Sequence, residues 1–278
     1  MADTAFQTMY RDEWIAAFER DQATLRRTVI TEAMVKGQKA TFLVATSNRE
    51  AVTRGGNGLI PASLDDLTQS EATLVEKHDL SQKTGFNIFA GQSNQRAIMQ
   101  ELTRKVINRD IDNVIIAILE SGTVNANTTA SIMTKQLVNI ALTKLYNANV
   151  PNDGMVFGVV TPAAWAHLSD IPDFASSDYV NAKPLVDGMP TGPEMKRWNG
   201  VTWISHTGLT NAGTSSAECY LYHKNAIGHA YDSRDVQSLV GYDEEQDYSW
   251  ARTSLYHGAV KLQNAGIVVI VHDDSQYS

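Results

Sequence analysis

The side chains that could carry chemistry in this sequence are seven histidines, one cysteine and two acidic clusters. The histidines are His78, His167, His206, His223, His229, His257 and His272. No two of them have the H-E-x-x-H spacing that places two zinc ligands on one helix face. His223 and His229 would share a strand face only if no turn lay between them. We therefore expect each histidine to be hydrogen-bonded or exposed, and we predict no metal site.

Motifs for nucleophilic catalysis and nucleotide binding are absent. The chain has no G-x-S-x-G turn and no glycine-rich run that ends in Lys-Ser or Lys-Thr. The run Gly56-Asn57-Gly58 has Pro61 where a dinucleotide loop needs its third glycine. Cys219 lies in an apolar segment, where a thiol is usually inert packing. The sequence thus predicts no catalytic residue, no cofactor and no enzymatic activity.

Acidic residues cluster twice in the last third of the chain. The clusters are Asp243, Glu244, Glu245 and Asp247, and then Asp273 and Asp274. Carboxylates can hold calcium, but neither cluster has the spaced ligands of a dedicated loop, so a solvated acidic surface is favoured. The alternative is a metal-dependent hydrolase with its metal at Asp243, Glu244 or His257. A bound metal in the purified protein would distinguish that alternative.

Composition excludes several classes of protein. With 43% hydrophobic and 19% charged residues in 278, the chain is typical of a globular protein. A net charge of −8 is opposite to what a dedicated duplex-DNA binder uses against phosphates. A single cysteine excludes an internal disulfide framework. The longest apolar runs, 114–119 and 267–271, are too short to cross a bilayer, so no membrane partner is expected. An N-terminus with Asp3, Asp12 and Glu13 is not expected to be a secretory signal.

Two extended parts dominate the first half of the chain. Residues 5–28 have the period of an amphipathic helix, with Trp14 and Phe18 on its apolar side, and could be a core helix or an arm that docks on a neighbouring subunit. Residues 38–46 and 72–80 have β character and are separated by a glycine-rich stretch, which predicts two long strands joined by an extended tip. A connection this long is more often bound to a partner than idle.

The strongest local signal is a helix over 94–121. Apolar residues recur every four or five positions, Ser93 or Asn94 can cap the start, and Gly122 closes the end. At 1.5 Å per residue the helix would be about 42 Å long, which suits a structural spine.

Shorter elements follow the spine helix. We expect a helix at 129–147 capped by Thr128 or Thr129, a strand at 155–160, and a helix that begins at Thr161-Pro162. Surface loops are predicted at 170–200, and strands at 201–205, 217–223, 226–231, 250–261 and 266–272. This order, without repeating βαβ units, predicts an α+β fold.

The order of these parts resembles that of the major capsid proteins of tailed bacteriophages, over about residues 5–274. The local stretches that carry the resemblance are His223-Lys224-Asn225-Ala226-Ile227-Gly228, Tyr256-His257-Gly258-Ala259 and Asn264 to Val269, with 40–44, 62–66 and 71–75 in the extended loop. The resemblance implies an N-terminal arm (1–30) and a peripheral domain (31–121 and 245–278) with an extended β-hairpin loop (38–80) and the spine helix (94–121). It also implies an axial domain (122–244).

The function that the resemblance implies is self-assembly through pentamers and hexamers into an icosahedral shell around double-stranded viral DNA, which the protein would enclose without reading its sequence. The shell would form in the host bacterial cytoplasm. The implied partners are other copies of the chain, a separate scaffolding protein, the portal and a cement (decoration) protein. The residues expected at contacts between subunits are Phe42, Arg49, Arg54, Asp65, Asp66, Glu71, Trp14 and Phe18.

Two features separate this chain from some relatives. We expect the arm to be too short to include a cleaved scaffolding segment, which implies a separate scaffolding protein. Lys36 and Lys39 lie near the loop base, but no sequence feature indicates an isopeptide bond, so we predict no covalent crosslink. The closest alternative, besides the metal-dependent hydrolase, is an encapsulin-type nanocompartment, which resembles the same fold but encloses enzymes. Neighbouring genes for cargo enzymes, or for portal and tail proteins, would separate the two.

Overall fold

A computed structural model describes residues 23–46, 50–54, 56, 58, 66–90, 94–175, 195–232 and 237–277. Its α-helices are α1 (Gly85–Ala90), α2 (Gln95–Glu120), α3 (Lys135–Asn147), α4 (Pro162–Ser169) and α5 (Pro172–Ala175). Its strands are β1 (Ile30–Ala33), β2 (Lys39–Thr46), β3 (Asp66–Thr73), β4 (Val75–Thr84), β5 (Val124–Asn125), β6 (Val156–Val160), β7 (Met195–Trp198), β8 (Val201–Ser205), β9 (Ala217–His223), β10 (Ile227–Tyr231), β11 (Gln237–Asp243), β12 (Tyr248–Lys261) and β13 (Ile267–His272). Helices and strands are mixed along the chain, so the α+β prediction is confirmed.

Helix α2 is the long helix that the sequence predicts, and its ends agree with the prediction to within a residue. The Asn94 side chain accepts a hydrogen bond from the Ala97 amide (3.3 Å), which satisfies one of the free donors of the first turn. Ser121 is the C-cap residue, and the Gly122 amide donates to the Leu119 carbonyl (2.9 Å). The 26 residues span about 39 Å.

A five-stranded sheet, called here the larger sheet because it contains the two longest strands, packs against α2 and is built around the 14-residue strand β12. One edge of β12 pairs with β4 over 248–257, and the other pairs with β11 and then β10. Strand β1 pairs in parallel with β10 and lies at the edge of the strand order. Segments far apart in the sequence thus meet on β12, because only a long central strand offers enough backbone to pair with all of them.

A six-stranded sheet in the order β5-β13-β9-β6-β8-β7 forms the second body. Its core contains fully buried side chains from strands and helices, among them Trp203, Leu221, Phe174, Leu145 and Leu168. Helix α4 begins as predicted, since Thr161 caps it through its hydroxyl (3.1 Å to the Ala164 amide) and Pro162 starts it. No described helix is long and apolar enough to cross a membrane.

Strands β2 and β3 form a separate two-stranded hairpin that is not hydrogen-bonded into either sheet as a strand. Its register runs from Lys39 opposite Thr73 to Thr46 opposite Asp66. The prediction that 72–80 is the second strand of the hairpin was therefore wrong. The second strand begins at Asp66, and after Leu74 the chain continues as β4 in the larger sheet. Sequence patterns missed this change of sheet because β character continues across Leu74 without a turn residue.

Two other predictions need correction. Helix α3 begins at Lys135 and is capped by Thr134, not by Thr128 or Thr129. The preceding residues form a loop because the Asn127 side chain bonds both backbone groups of Val271 (2.8 and 3.0 Å). The predicted surface loop 170–200 contains α5 and β7, and Phe174 and Trp198 enter the core. Residues 176–194 lie outside the described residues.

Candidate assembly surfaces

The inner face of the hairpin packs on the protein's own body. Ala40 and Ala72 are buried against Ala230 of β10, and the half-buried Phe42 joins them. The Phe42 ring lies over Gly228, about 3.0 Å from where a Cβ atom on that glycine would be. Phe42, which the sequence analysis assigned to a contact between subunits, thus anchors the hairpin within its own chain.

A second glycine lets the base of the hairpin cross the larger sheet. The carbonyl oxygen of Thr73 lies 2.1 Å from the position of a Cβ on Gly258 of β12. Any side chain at residue 258 would collide with backbone rather than with a flexible side-chain end. Gly228 and Gly258 together form a notch, called here the glycine notch, in which the hairpin base rests.

The outer face of the hairpin is exposed and partly apolar. Directly opposite residues share a face of an antiparallel pair, so Leu43 lies on the same side as Leu67 and Glu71. Leu43 and Leu67 are 69% and 63% exposed. Glu71 forms an exposed ion pair with Lys39 (2.6 Å) on this face. These residues form what we call the hairpin outer face, an apolar pair beside an ion pair.

The other predicted contact residues lie toward the tip or outside the described residues. Arg54 is exposed, and its Nε donates to the Gly58 carbonyl (3.0 Å). Asp66 is paired with Thr46 at the far end of the strands. Arg49, Asp65, Trp14 and Phe18 lie outside the described residues. Their assignment to contacts stays a prediction.

The sheet around β12 also has an exposed face. Thr253 bonds Thr103 of α2 (2.9 Å), so its neighbours Arg252 and Trp250 lie on the side away from the helix. The Trp250 ring covers Gly241, 2.4 Å from a Cβ position there. The exposed apolar side chains Leu80 and Leu239 flank Arg252 in register. We call this surface the sheet outer face; its residues are Leu80, Leu239, Trp250 and Arg252.

Asp112 is a structural residue that the sequence analysis missed. Its carboxylate is fully buried and accepts hydrogen bonds from the Thr24 and Leu25 amides (3.2 and 3.1 Å). It also pairs with His206 Nε2 (3.2 Å) in the loop after β8. Asp112 therefore ties the start of the described chain and the six-stranded body to α2. The sequence did contain one sign of this role: Asp112 lies four residues before Ile116, and therefore on the apolar side of the helix.

The histidines are more deeply buried than the sequence suggested. His206, His223, His257 and His272 pair with Asp112, Asp153, Asp110 and Asp274 respectively. His229 is fully buried, and neither ring nitrogen has a partner among the described residues, so the expectation that every histidine is bonded or exposed was wrong. Burial lowers the pKa of His229 to about 3, with the neighbouring His257 and Arg26 acting in the same direction. This ring is an uncharged core side chain.

The residues of the alternative metal site lie too far apart in the folded chain to bind one ion together. Asp243 and Glu244 lie at the turn between β11 and β12, whereas His257 is nine residues along β12, about 30 Å away, and bonds Asp110 (3.0 Å). Within the described ranges, no group of three or more His, Cys, Asp or Glu residues could hold a metal ion.

Asp274 and Cys219 are both buried in the structure. Asp274 is buried rather than solvated, and it accepts hydrogen bonds from the Thr161 hydroxyl and the Gly213 amide (both 2.8 Å). It fastens the end of the chain to the six-stranded body, so the prediction of a solvated cluster was wrong for this residue. Cys219 is buried as expected, and burial raises the pKa of its thiol to about 12.

The shell-protein fold of tailed-phage capsids is defined by four parts that this chain has: a spine helix, a separate two-stranded hairpin, a sheet built around one long strand and a second, six-stranded body. Comparison with solved structures agrees. The chain is similar to a structure from Mycobacterium phage Che8 (16% identity, TM-score 0.74, covering 97% of this chain and 98% of that one). It is also similar to the capsid of Ralstonia phage GP4 (11% identity, TM-score 0.70, 98% and 96% covered). The head of Helicobacter pylori bacteriophage KHP40 is a third example (11% identity, TM-score 0.69, 97% and 95% covered).

The sequence family is established independently of the fold. A family model described as phage capsid protein matches residues 2–274, so the chain belongs to the phage capsid protein family. No curated protein sequence matches the chain. The chain is thus a major capsid protein that functions as a structural subunit of the virion shell, and the nanocompartment alternative is not favoured.

Proposed function

We propose that identical copies of this chain assemble through pentamers and hexamers into an icosahedral shell that encloses double-stranded DNA. The observation that carries the proposal is the hairpin, which presents two leucines, Leu43 and Leu67, to solvent while its inner face is fastened to the body. Two leucines exposed side by side leave apolar surface in water in a free subunit, and burial against another copy in the assembly would explain them.

The occupant of the hairpin outer face is the body of a neighbouring copy. The sheet outer face offers a matching surface, because Leu80 and Leu239 are 51% and 41% exposed and Trp250 is rigidly placed over Gly241. Contacts between two different patches of the same chain are heterologous and can close into rings. Apolar contact of this kind would be repeated at every subunit of the shell.

The proposal also divides the chain into an arm and two domains. The arm comprises residues 1–30, the peripheral domain 31–121 and 245–278, and the axial domain 122–244. Sheet membership supports moving three strands across these bounds, since β10 and β11 pair with β12 of the larger sheet and β13 lies inside the six-stranded sheet. The peripheral domain then contains α2 and the larger sheet, and the axial domain contains the six-stranded sheet.

The proposed partners are a separate scaffolding protein, a portal and a decoration protein, with assembly in the host bacterial cytoplasm. The protein acts as a structural subunit and not as an enzyme. A net charge of −8 supports enclosure of DNA without tight binding, because few phosphate contacts let the DNA enter and leave. We also propose that Lys36 and Lys39 form no covalent crosslink. A ladder of multimers on a denaturing gel of mature particles would contradict this.

Assembly is tested by expressing the full chain with its scaffolding protein and measuring mass by light scattering and shape by negative-stain electron microscopy. The parent chain should give closed shells. Leu43→Glu combined with Leu67→Glu should lower the shell yield about tenfold while the subunit remains folded by circular dichroism. Leu102→Glu, at a 36% exposed position on α2, is the control and should assemble normally. Normal shells from the double variant would refute the role of the hairpin.

A further inference from the structure

An open groove of about 700 Å³ lies between the start of the described chain and β10. Three cationic side chains line it, Arg26, Arg27 and Lys224. The Arg26 guanidinium lies 3.8 Å from the centre of the Tyr231 ring, which holds the charge in place through a cation–π contact. Arg27 is exposed and Lys224 half-exposed, so both can reach a ligand. We call this the cationic groove.

The groove is positive although the chain as a whole is acidic. Thr31 and Ala33 of β1 face it, and because side chains alternate along a strand, Glu32 between them points to the other side. Within the part of the chain that the structure describes, no carboxylate forms an ion pair with Arg27 or Lys224. Among the described residues, the cationic groove therefore offers positive charge that no carboxylate pairs, and an anionic partner could bind it.

The same chain presents an exposed acidic turn at the other end of the larger sheet. The turn between β11 and β12 exposes Glu244, Glu245 and Asp247. The Asp243 carboxylate accepts a hydrogen bond from the Glu245 amide (3.0 Å), and this bond shapes the turn. Tyr231 of the groove lies opposite His257, so about 30 Å of β12 separates the turn from the groove. The two patches cannot meet within one subunit.

We propose that the acidic turn 243–247 of one copy docks in the cationic groove of a neighbouring copy. This rests on the proposed assembly of identical copies and names one contact in it that is separate from the hairpin. Two complementary patches at opposite ends of one sheet make a heterologous contact, which is the kind that builds rings and shells. Charge complementarity at an exposed rim fixes the register of the contact and disfavours wrong neighbours.

A charge swap tests the contact. Arg27→Glu with Lys224→Glu should lower shell yield about tenfold, and Glu244→Lys with Glu245→Lys should do the same. The four substitutions together should restore yield to within about threefold of the parent, because each reversed patch again meets its complement. Arg104→Glu, at an exposed position on α2, is the charge-matched control and should assemble as the parent does. All variants are measured beside parent shells, so failure of the parent to assemble would count against the proposed function instead.

A disulfide crosslink between neighbouring copies tests the contact directly. Cys219 is fully buried, so in Arg27→Cys with Glu245→Cys the two introduced thiols are the exposed ones. Oxidation of assembled particles should give disulfide-linked multimers on a denaturing gel, whereas either single variant should give none. Absence of multimers in well-formed shells, or absence of rescue by the four substitutions, overturns the proposal. Groove variants that form normal shells but lose packaged DNA would also overturn it, because the groove would then serve DNA phosphates.

Discussion

The Thr73 carbonyl oxygen and Gly258 are in backbone contact, with the oxygen only 2.1 Å from a Cβ position on the glycine. At this contact the chain leaves the hairpin, and after one intervening residue it enters the larger sheet as β4. The direction of the hairpin is therefore set by a backbone-to-backbone crossing rather than by its own sequence. Assembly that uses the hairpin depends on this crossing.

Gly258→Ala should disturb the hairpin base. The added methyl group must displace the Thr73 carbonyl, and overpacking of this kind costs about 1–3 kcal/mol of unfolding free energy. Urea denaturation measures the cost, and shell yield reports the direction of the hairpin. Gly56→Ala, where nothing lies within 4 Å of the new methyl group, should change the unfolding free energy by less than about 0.5 kcal/mol. Equal effects of the two variants would contradict the crossing.

Asp112→Ala should be strongly destabilising. It leaves the buried Leu25 amide and the His206 ring without their shared acceptor, and loss of one partner from such a buried network costs about 3–5 kcal/mol. Chemical denaturation measures this, and hydrogen exchange of the Leu25 amide should speed up before global unfolding. Asp173→Asn removes only an exposed partner of Lys135 and should cost less than about 1 kcal/mol. If Asp112→Ala is as stable as Asp173→Asn, Asp112 does not have the structural role described above.

Stability should fall in mild acid because of His229. Its pKa is lowered to about 3 in the folded chain by burial, with His257 and Arg26 adding to the effect and Asp112 opposing it, whereas the unfolded chain has the ordinary value near 6.5. Below about pH 6.5 the unfolded chain therefore binds a proton that the folded chain does not, and stability is lost progressively as pH falls toward 3. The pKa of His257 is also lowered by burial, against the effect of Asp110, so it acts in the same direction.

His229→Leu should reduce this loss by about 2 kcal/mol between pH 6.5 and 5, as thermal or urea unfolding at several pH values would show. His78→Gln, at a ring on the exposed side of β4, is the control and should leave that part of the loss in place. An unchanged pH profile in His229→Leu would mean that the buried ring does not govern acid stability.

Cys219 should be unreactive until the protein unfolds. Burial raises the pKa of its thiol to about 12, and no thiolate forms near neutral pH. A chromogenic thiol reagent should therefore label the native chain only at the rate of unfolding, and denaturant should expose one thiol per chain. Ser216→Cys, at an exposed position before β9, should react at once and serves as the positive control. Fast labelling of the parent chain would place Cys219 at the surface.

Elements with a complete local signal were predictable. Helix α2 has a cap, a long apolar period and a terminating glycine, and strands β8 and β9 coincide with the predicted ranges. Strands β4 and β11 were harder because each is half-exposed and polar, and their pairing with β12 is a long-range event. The role of surface residues was hardest to predict. Phe42, for example, is an aromatic residue in an extended loop, which is typical of subunit contacts, but its ring packs over Gly228 of its own chain.

By itself, the sequence determined the element types, the α+β class, the spine helix and the absence of catalytic motifs, because helix caps, periodicity and turn residues act over a few positions. Only the tertiary structure decided which strands share a sheet, where the hairpin base crosses Gly258, and that Asp112 and Asp274 are buried acceptors rather than solvated acids. These outcomes depend on contacts between residues far apart in the chain. Such contacts leave no local pattern, since what selects them is the free energy of burying and hydrogen-bonding distant groups together.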